Sequence, residues 1–257
     1  MKRENTILLK LIYIAIFTAL SFIGTMIFIP FGPSKIHLGN FICILAGLLC
    51  GGLIGGLSGS LGMGLNDIVM GYGLETYIRT FLLKFLMGFL VGTIFRLLLK
   101  KKANGLLFNL ISTVLMLAVS VTMLVLYLGQ MKNITLWIVI LSFCLSLIFL
   151  LVTVFSRKLD PVLNILSFSL TVAIAVNVIG EFFIRAIINT IVGTTFDEAI
   201  AISLAKLPAS LMTSLLTILL VLFLFYPVYK ATSHLNAFND LDDLIILKKG
   251  NKENGTK

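Results

Sequence analysis

Six stretches without an Asp, Glu, Lys or Arg constrain this chain more than anything else in it: 11–34, 36–66, 103–131, 133–156, 161–180 and 207–229. A helix needs about 20 apolar residues to cross a hydrocarbon core, and every one of these runs is long enough. Lipid offers no partner for a bare backbone N–H or C=O, so such runs must close their hydrogen bonds as helices. Only 12% of the residues are charged, about half of what a soluble domain carries. The fold class expected is therefore all-α, a polytopic helical membrane bundle.

The net charge of +9 could suit nucleic acid, but its placement points to lipid instead. Basic residues cluster at the ends of the apolar runs: Lys2, Arg3 and Lys10; Arg96 with Lys100, Lys101 and Lys102; Arg157 and Lys158; Lys230, Lys248, Lys249, Lys252 and Lys257. That is the distribution of the positive-inside rule. Apolar spans are expected at 7–29, 40–51, 53–66, 77–99, 104–128, 134–156, 161–191 and 199–228. The second and third, joined through Gly51-Gly52, form either a tight hairpin or one broken helix. Only the hairpin puts every basic cluster on the same side, which gives eight spans with both termini cytoplasmic in a cell membrane. The first span begins after Lys2-Arg3 but is too long for a signal peptide and lacks a small-x-small cleavage site. One transmembrane domain is expected over 1–230, with a short cytoplasmic tail over 231–257. Asp160 and Pro161 are placed to cap and open the seventh helix.

Cys43, Cys50 and Cys144 lie in apolar segments, with no CxxC among them, and read as small buried hydrophobes. Gly51, Gly55 and Gly59, with Gly52, Gly56, Ser60 and Gly64 beside them, make small-xxx-small stripes suited to close helix packing. No Lys-Ser/Thr follows, as a phosphate-binding loop would require.

Ionisable side chains inside a span are costly and are functional candidates by default. Arg79 and Lys84 fall in the outer part of the fourth span, Glu181 and Arg185 late in the seventh, and Lys206 near the start of the eighth. All five thus lie toward the outer face, which describes a polar cavity open to the exterior and closed toward the cytoplasm. Asn177, Glu181, Arg185 and Asn189 recur at four-residue spacing and share a helix face. Glu181 and Arg185 either satisfy each other or line a ligand site with Asn177. Glu75 and Arg79 are a surface pair or part of the mouth. Asn66-Asp67 either stops the third helix or lines the pocket. The polar segment 30–39 would sit above this depth as a lid, with Ser34, Lys35 and His37 as its contacts. His37 has no second metal-type ligand at a suitable spacing, and no cofactor is called for. HExxH, GxSxG and nucleotide-binding loops are absent. Ser and Thr within the helices, Ser210 among them, are expected to back-bond or to join helices.

Several stretches resemble the energy-coupling factor (ECF) transporter S components of the riboflavin-type branch, which includes hydroxymethylpyrimidine and pyridoxine carriers. They are Ala15-Ile-Phe-Thr-Ala19, the 30–39 segment, the glycine-rich stretch 45–56, Gly62-x-Gly64-x-Asn66-Asp67, Asn177-Val-Ile-Gly-Glu181 and Ala205-Lys-Leu-Pro-Ala-Ser210. The resemblance implies a six-helix, non-enzymatic subunit that binds a small water-soluble vitamin or precursor near the outer face. It also implies docking on a transmembrane coupling subunit driven by two cytoplasmic ATPases, with Ala15 and Ala19 as the AxxxA contact. The ionisable residues near the outer face, their helix-face neighbours and the 30–39 segment together give the expected substrate-binding residues: Asn177, Glu181, Arg185, Lys84, Arg79, Asn66, Asp67, Lys35 and His37. Residues 104–156 depart from the family as an added two-helix hairpin on the six-helix core. The competing readings are a self-sufficient secondary transporter of a small polar metabolite and a membrane-embedded enzyme or assembly factor. The first would need an inward polar route and the second a coherent catalytic set, and the sequence displays neither.

Overall fold

The computed structural model describes residues 2–101, 105–129, 136–154 and 161–232. The expected roles of Lys132, Arg157, Lys158 and Asp160, and the tail from Ser233, lie outside the described residues. The elements run α1 (Lys2–Met26), β1 (Phe28–Phe31), β2 (Ser34–His37), α2 (Gly39–Cys50), α3 (Gly52–Val69), α4 (Leu74–Lys100), α5 (Gly105–Leu128), α6 (Leu136–Val154), α7 (Pro161–Ile191) and α8 (Phe196–Thr232).

Among the described residues, five helices are long and apolar enough to cross a membrane: Ile7–Met26, Leu74–Lys100, Gly105–Leu128, Val162–Ile191 and Phe196–Ala231. In contrast α2 has 12 residues. At 1.5 Å per residue it reaches about 18 Å, short of a hydrocarbon core of about 30 Å. Its last carbonyls therefore end below the surface. Arg96 reaches across from α4 to supply what water cannot, its Nη1 donating to Gly47 O at 3.0 Å and its Nη2 to Leu49 O at 2.7 Å. A cation at a helix C-terminus also opposes the negative end of the helix dipole.

At Gly51 the chain turns sharply, with φ of +106°, and α3 runs back antiparallel to α2. A Cβ on Gly55 would lie 2.3 Å from Gly47 Cα, and one on Gly59 would lie 2.2 Å from Cys43 Sγ. The third partner is α4, where a Cβ on Gly88 would come 2.6 Å from the Gly55 carbonyl carbon. These glycines let three backbones touch, which is the close packing that small-xxx-small stripes permit.

The segment expected as a polar loop is a β-hairpin, so the bundle is not purely helical. Its register pairs Phe28 with His37, Ile29 with Ile36, Pro30 with Lys35 and Phe31 with Ser34. The two-residue turn has Gly32 at φ +55° followed by Pro33. Glycine in the first central position is the order of a type II′ turn, whose twist matches paired strands. Composition hid this element because eight residues of strand are too few for a periodic signal. Phe31 anchors the hairpin to the bundle by packing against the small apolar cluster that Met123 of α5, Val139 of α6 and Leu211 of α8 form.

Away from the hairpin much of the interior is apolar. Leu48 and Leu49 of α2, Val91 and Phe95 of α4, Ile165 and Leu166 of α7, and Val221 and Phe225 of α8 form one core. Phe95 and Phe225 meet edge to face at 5.6 Å. Helix α5 is held to α6 and α7 through small polar side chains. Asn109 Nδ2 donates to Thr153 Oγ1 at 2.8 Å, Ser167 donates to Asn109 Oδ1 at 2.7 Å, and the Ser120 and Ser146 hydroxyls bond at 2.6 Å.

Candidate ligand-binding site

Helices α4 and α7 approach closely where Gly180 faces α4, since a Cβ there would lie 2.4 Å from Leu83 Cδ2. That contact brings Lys84, the next residue along α4, between Asn177 and Glu181 on one face of α7. Lys84 is only 4% exposed. Its ammonium donates to Asn177 Oδ1 at 2.7 Å and to Glu181 Oε1 at 2.8 Å, which uses two of its three donors. The other carboxylate oxygen of Glu181 accepts from the Ser210 hydroxyl of α8. Arg185, one turn further along α7, stands 3.7 Å from that same oxygen. The i,i+4 pairing of Glu181 with Arg185 is thus the looser contact, and the tight ion pair joins two helices.

Above this network lies the hairpin. Lys35 Nζ donates to Asn66 Oδ1 at 3.1 Å and stands over the rings of Phe28 and Tyr72 at 5.3 and 5.6 Å, within cation–π range. Burial pushes the Lys35 amine below the usual lysine range, and the Asp67 charge opposes that shift. His37 Nδ1 accepts the Gly39 backbone N–H at 3.2 Å. Burial is the main cause holding its pKa down to about 3, the charges of Lys84 and Lys35 add to it, and Glu181 opposes. The imidazole is consequently neutral near pH 7 and, with Nδ1 accepting, carries its proton on Nε2.

These groups surround a cavity of about 340 Å³, within the range typical of small-molecule sites. Of the residues singled out from sequence, Lys35, His37, Asp67, Arg79, Lys84, Asn177, Glu181 and Arg185 line it. Asn66 is not among the lining residues and reaches the cavity only by holding Lys35. Arg79 faces the cavity without an ion pair to Glu75 among the described residues. Ser34 of the hairpin also lines the cavity, but no lining residue comes from α5 or α6. Three lining residues carry a buried polar atom with no hydrogen-bond partner: Asn40 Oδ1, Asp67 Oδ2 and Arg185 Nε. Buried polar groups are rarely left unpaired, so these atoms mark places where a bound molecule would gain hydrogen bonds.

The sequence marks Lys206 as an outer ionisable residue without making it a substrate contact, and reads Ser210 and Thr213 as helix-joining or back-bonding groups, yet all three line the cavity. Their spacing on α8 placed them on one face, which was the available signal. Ser210 was expected to back-bond within its helix or to join helices, and it does the second by bonding Glu181. Thr217 does back-bond, to Thr213 O at 2.7 Å.

A family model described as ECF-type riboflavin transporter, S component, matches residues 5–142. The match takes in α1 to α5 and the start of α6, so it includes part of the 104–156 stretch read above as an addition. The α7 and α8 walls of the cavity lie beyond it. Comparisons with curated proteins and with solved structures gave no match. With more than half of its residues matched, this multi-pass membrane chain belongs to the family of ECF-type riboflavin transporter S components, a family of transporter subunits and not of enzymes.

Proposed function

We propose that the protein is the substrate-binding membrane subunit of an ECF-type importer. It takes a small water-soluble vitamin or precursor from outside the cell and passes it through a transmembrane coupling subunit driven by two ATPases. The observation that carries this reading is the polar cavity under the β-hairpin, beyond which an apolar core from α2, α4, α7 and α8 packs. A self-sufficient secondary transporter would need a polar pathway through the other half of the bundle, where Val91, Phe95, Val221 and Phe225 pack together and the buried Asn109 bonds Thr153 and Ser167 between helices.

Sidedness supports the same reading. Lys10, Arg96, Lys100, Lys101 and Lys230 lie toward the end of the bundle opposite the hairpin, as the alternation of the helices requires. By the positive-inside rule that end faces the cytoplasm, with both termini, and the cavity faces out from a cell membrane. Ala15 and Ala19 are exposed on α1, on a flank free to meet the coupling subunit. The deepest ligand contacts are Asn177, Glu181 and Lys84, with Asp67, Arg79, Arg185, Lys35 and His37 nearer the mouth and Asn66 supporting Lys35.

The test is uptake into vesicles. The purified chain should bind its vitamin alone, but accumulation should require the coupling subunit and both ATPases. Accumulation by the chain alone would overturn the proposal.

A further inference from the structure

The charges lining the cavity do not balance. Lys35, Arg79, Lys84, Arg185 and Lys206 face only Asp67 and Glu181, which leaves an excess of three positive charges around a neutral His37. Lys84 is tightly paired with Glu181, and Lys35 and Arg79 both lie within electrostatic reach of Asp67. Arg79, Arg185 and Lys206 are the lining cations without a contact as close as those of Lys35 and Lys84, and they share the same two carboxylates. They sit together, since Arg185 feels the charge of Arg79 and Lys206 feels both arginines.

None of the three donates a hydrogen bond to a protein group among the described residues. Arg185 is 7% exposed with its Nε unpartnered. The one carboxylate near it, Glu181, is 3.7 Å away and already bonded to Lys84 and Ser210. Glu75, four residues before Arg79, forms no ion pair among the described residues that would relieve the cluster.

Like charges gathered in a poorly solvated site repel strongly, and a buried charge with no partner is a large penalty. Two guanidinium forks and an ammonium present the donor geometry that oxyanions accept. A neutral or cationic ligand would leave this cluster uncompensated.

We infer that the ligand carries an ionised oxyanion group, phosphate or carboxylate, seated on Arg79, Arg185 and Lys206. This rests on the cavity being the ligand site of the proposed importer subunit, and it narrows the substrate class to organic acids or phosphate esters. The rest of the ligand then meets Lys84, Asn177 and the unpaired acceptors Asn40 Oδ1 and Asp67 Oδ2, which call for N–H or O–H donors.

The purified full chain in detergent provides the test, with inorganic phosphate and acetate as probes and chloride at equal ionic strength as the reference. Either oxyanion should raise the unfolding temperature beyond the chloride control, and the stronger of the two identifies the group. Arg185→Gln and Lys206→Gln should each raise the required concentration at least tenfold, whereas Lys101→Gln, exposed at the far end, should leave it unchanged. No effect of either anion beyond chloride, or an effect that survives both substitutions, overturns the inference. Mass spectrometry of a compound co-purified with the unsubstituted chain decides the matter even where a variant fails to fold. An ionised acid supports the assignment, and a neutral or cationic compound removes it. A neutral compound whose uptake still requires the coupling module would sink this inference alone. Uptake without that module would sink the importer reading.

Discussion

Lys84 of α4 and Glu181 of α7, 97 residues apart in sequence, meet at 2.8 Å and tie the two helices together at the floor of the cavity. A buried ion pair is weak evidence for stability, yet breaking one by removing a single partner strands a charge and costs about 3–5 kcal/mol. Lys84→Met should therefore lower the unfolding temperature sharply. Lys84→Met with Glu181→Leu should recover much of that loss while ligand binding stays impaired. Equal unfolding temperatures for the single and double variants would show that the stranded carboxylate is not the cause.

The glycine junction gives a second prediction. Gly55→Ala would bring a methyl group within 2.3 Å of the Gly47 backbone, and backbone cannot rotate aside. Overpacking of this kind costs about 1–3 kcal/mol. Leu53→Ala, at an exposed position on the same helix, should change stability far less. Thermal unfolding of the two variants in one detergent decides it.

Hairpin stability should depend on pH through His37. Folding holds this imidazole down to about 3, against about 6.5 in an unfolded chain. Between those values the unfolded state binds the proton and the folded state does not, so stability falls as pH drops through that window and is level above it. From pH 7 to pH 4.5 the unfolding temperature should fall more steeply for the native chain than for His37→Gln. Parallel slopes would assign the effect to other groups.

Arg96 should matter to the bundle and not to the ligand. Arg96→Leu removes the donors to Gly47 O and Leu49 O, each charge-assisted bond being worth about 1.5–3 kcal/mol. Lower thermal stability with unchanged ligand affinity is the expected result, measured by unfolding and calorimetry on the same preparation. Loss of affinity without loss of stability would contradict it.

Ala15 and Ala19 are exposed on α1 and lie far along the helix from the cavity residue Thr25. Ala15→Leu and Ala19→Leu should leave stability and ligand binding intact while reducing co-purification with the coupling subunit. Full recovery of the complex with either variant would exclude this face as the contact.

Much of this architecture was legible in the residues themselves. The uncharged runs determined apolar helices because lipid and a bare backbone are incompatible. The spacing of Asn177, Glu181 and Arg185 put them on one face because helical periodicity is local. Charge bias between runs selected the α2–α3 hairpin over a continuous helix. What tertiary structure alone decided was partnership. Sequence offered Arg185 as the near neighbour of Glu181, but Gly180 lets α4 close on α7, and Lys84 takes the carboxylate instead. The 30–39 segment looked like a loop until Phe28–Phe31 paired with Ser34–His37. Asn66 faced either a helix stop or the pocket, and the fold gave it to Lys35. Periodicity says which side chains share a face. Only the distance between backbones, set by small residues at the crossings, says which of them meet.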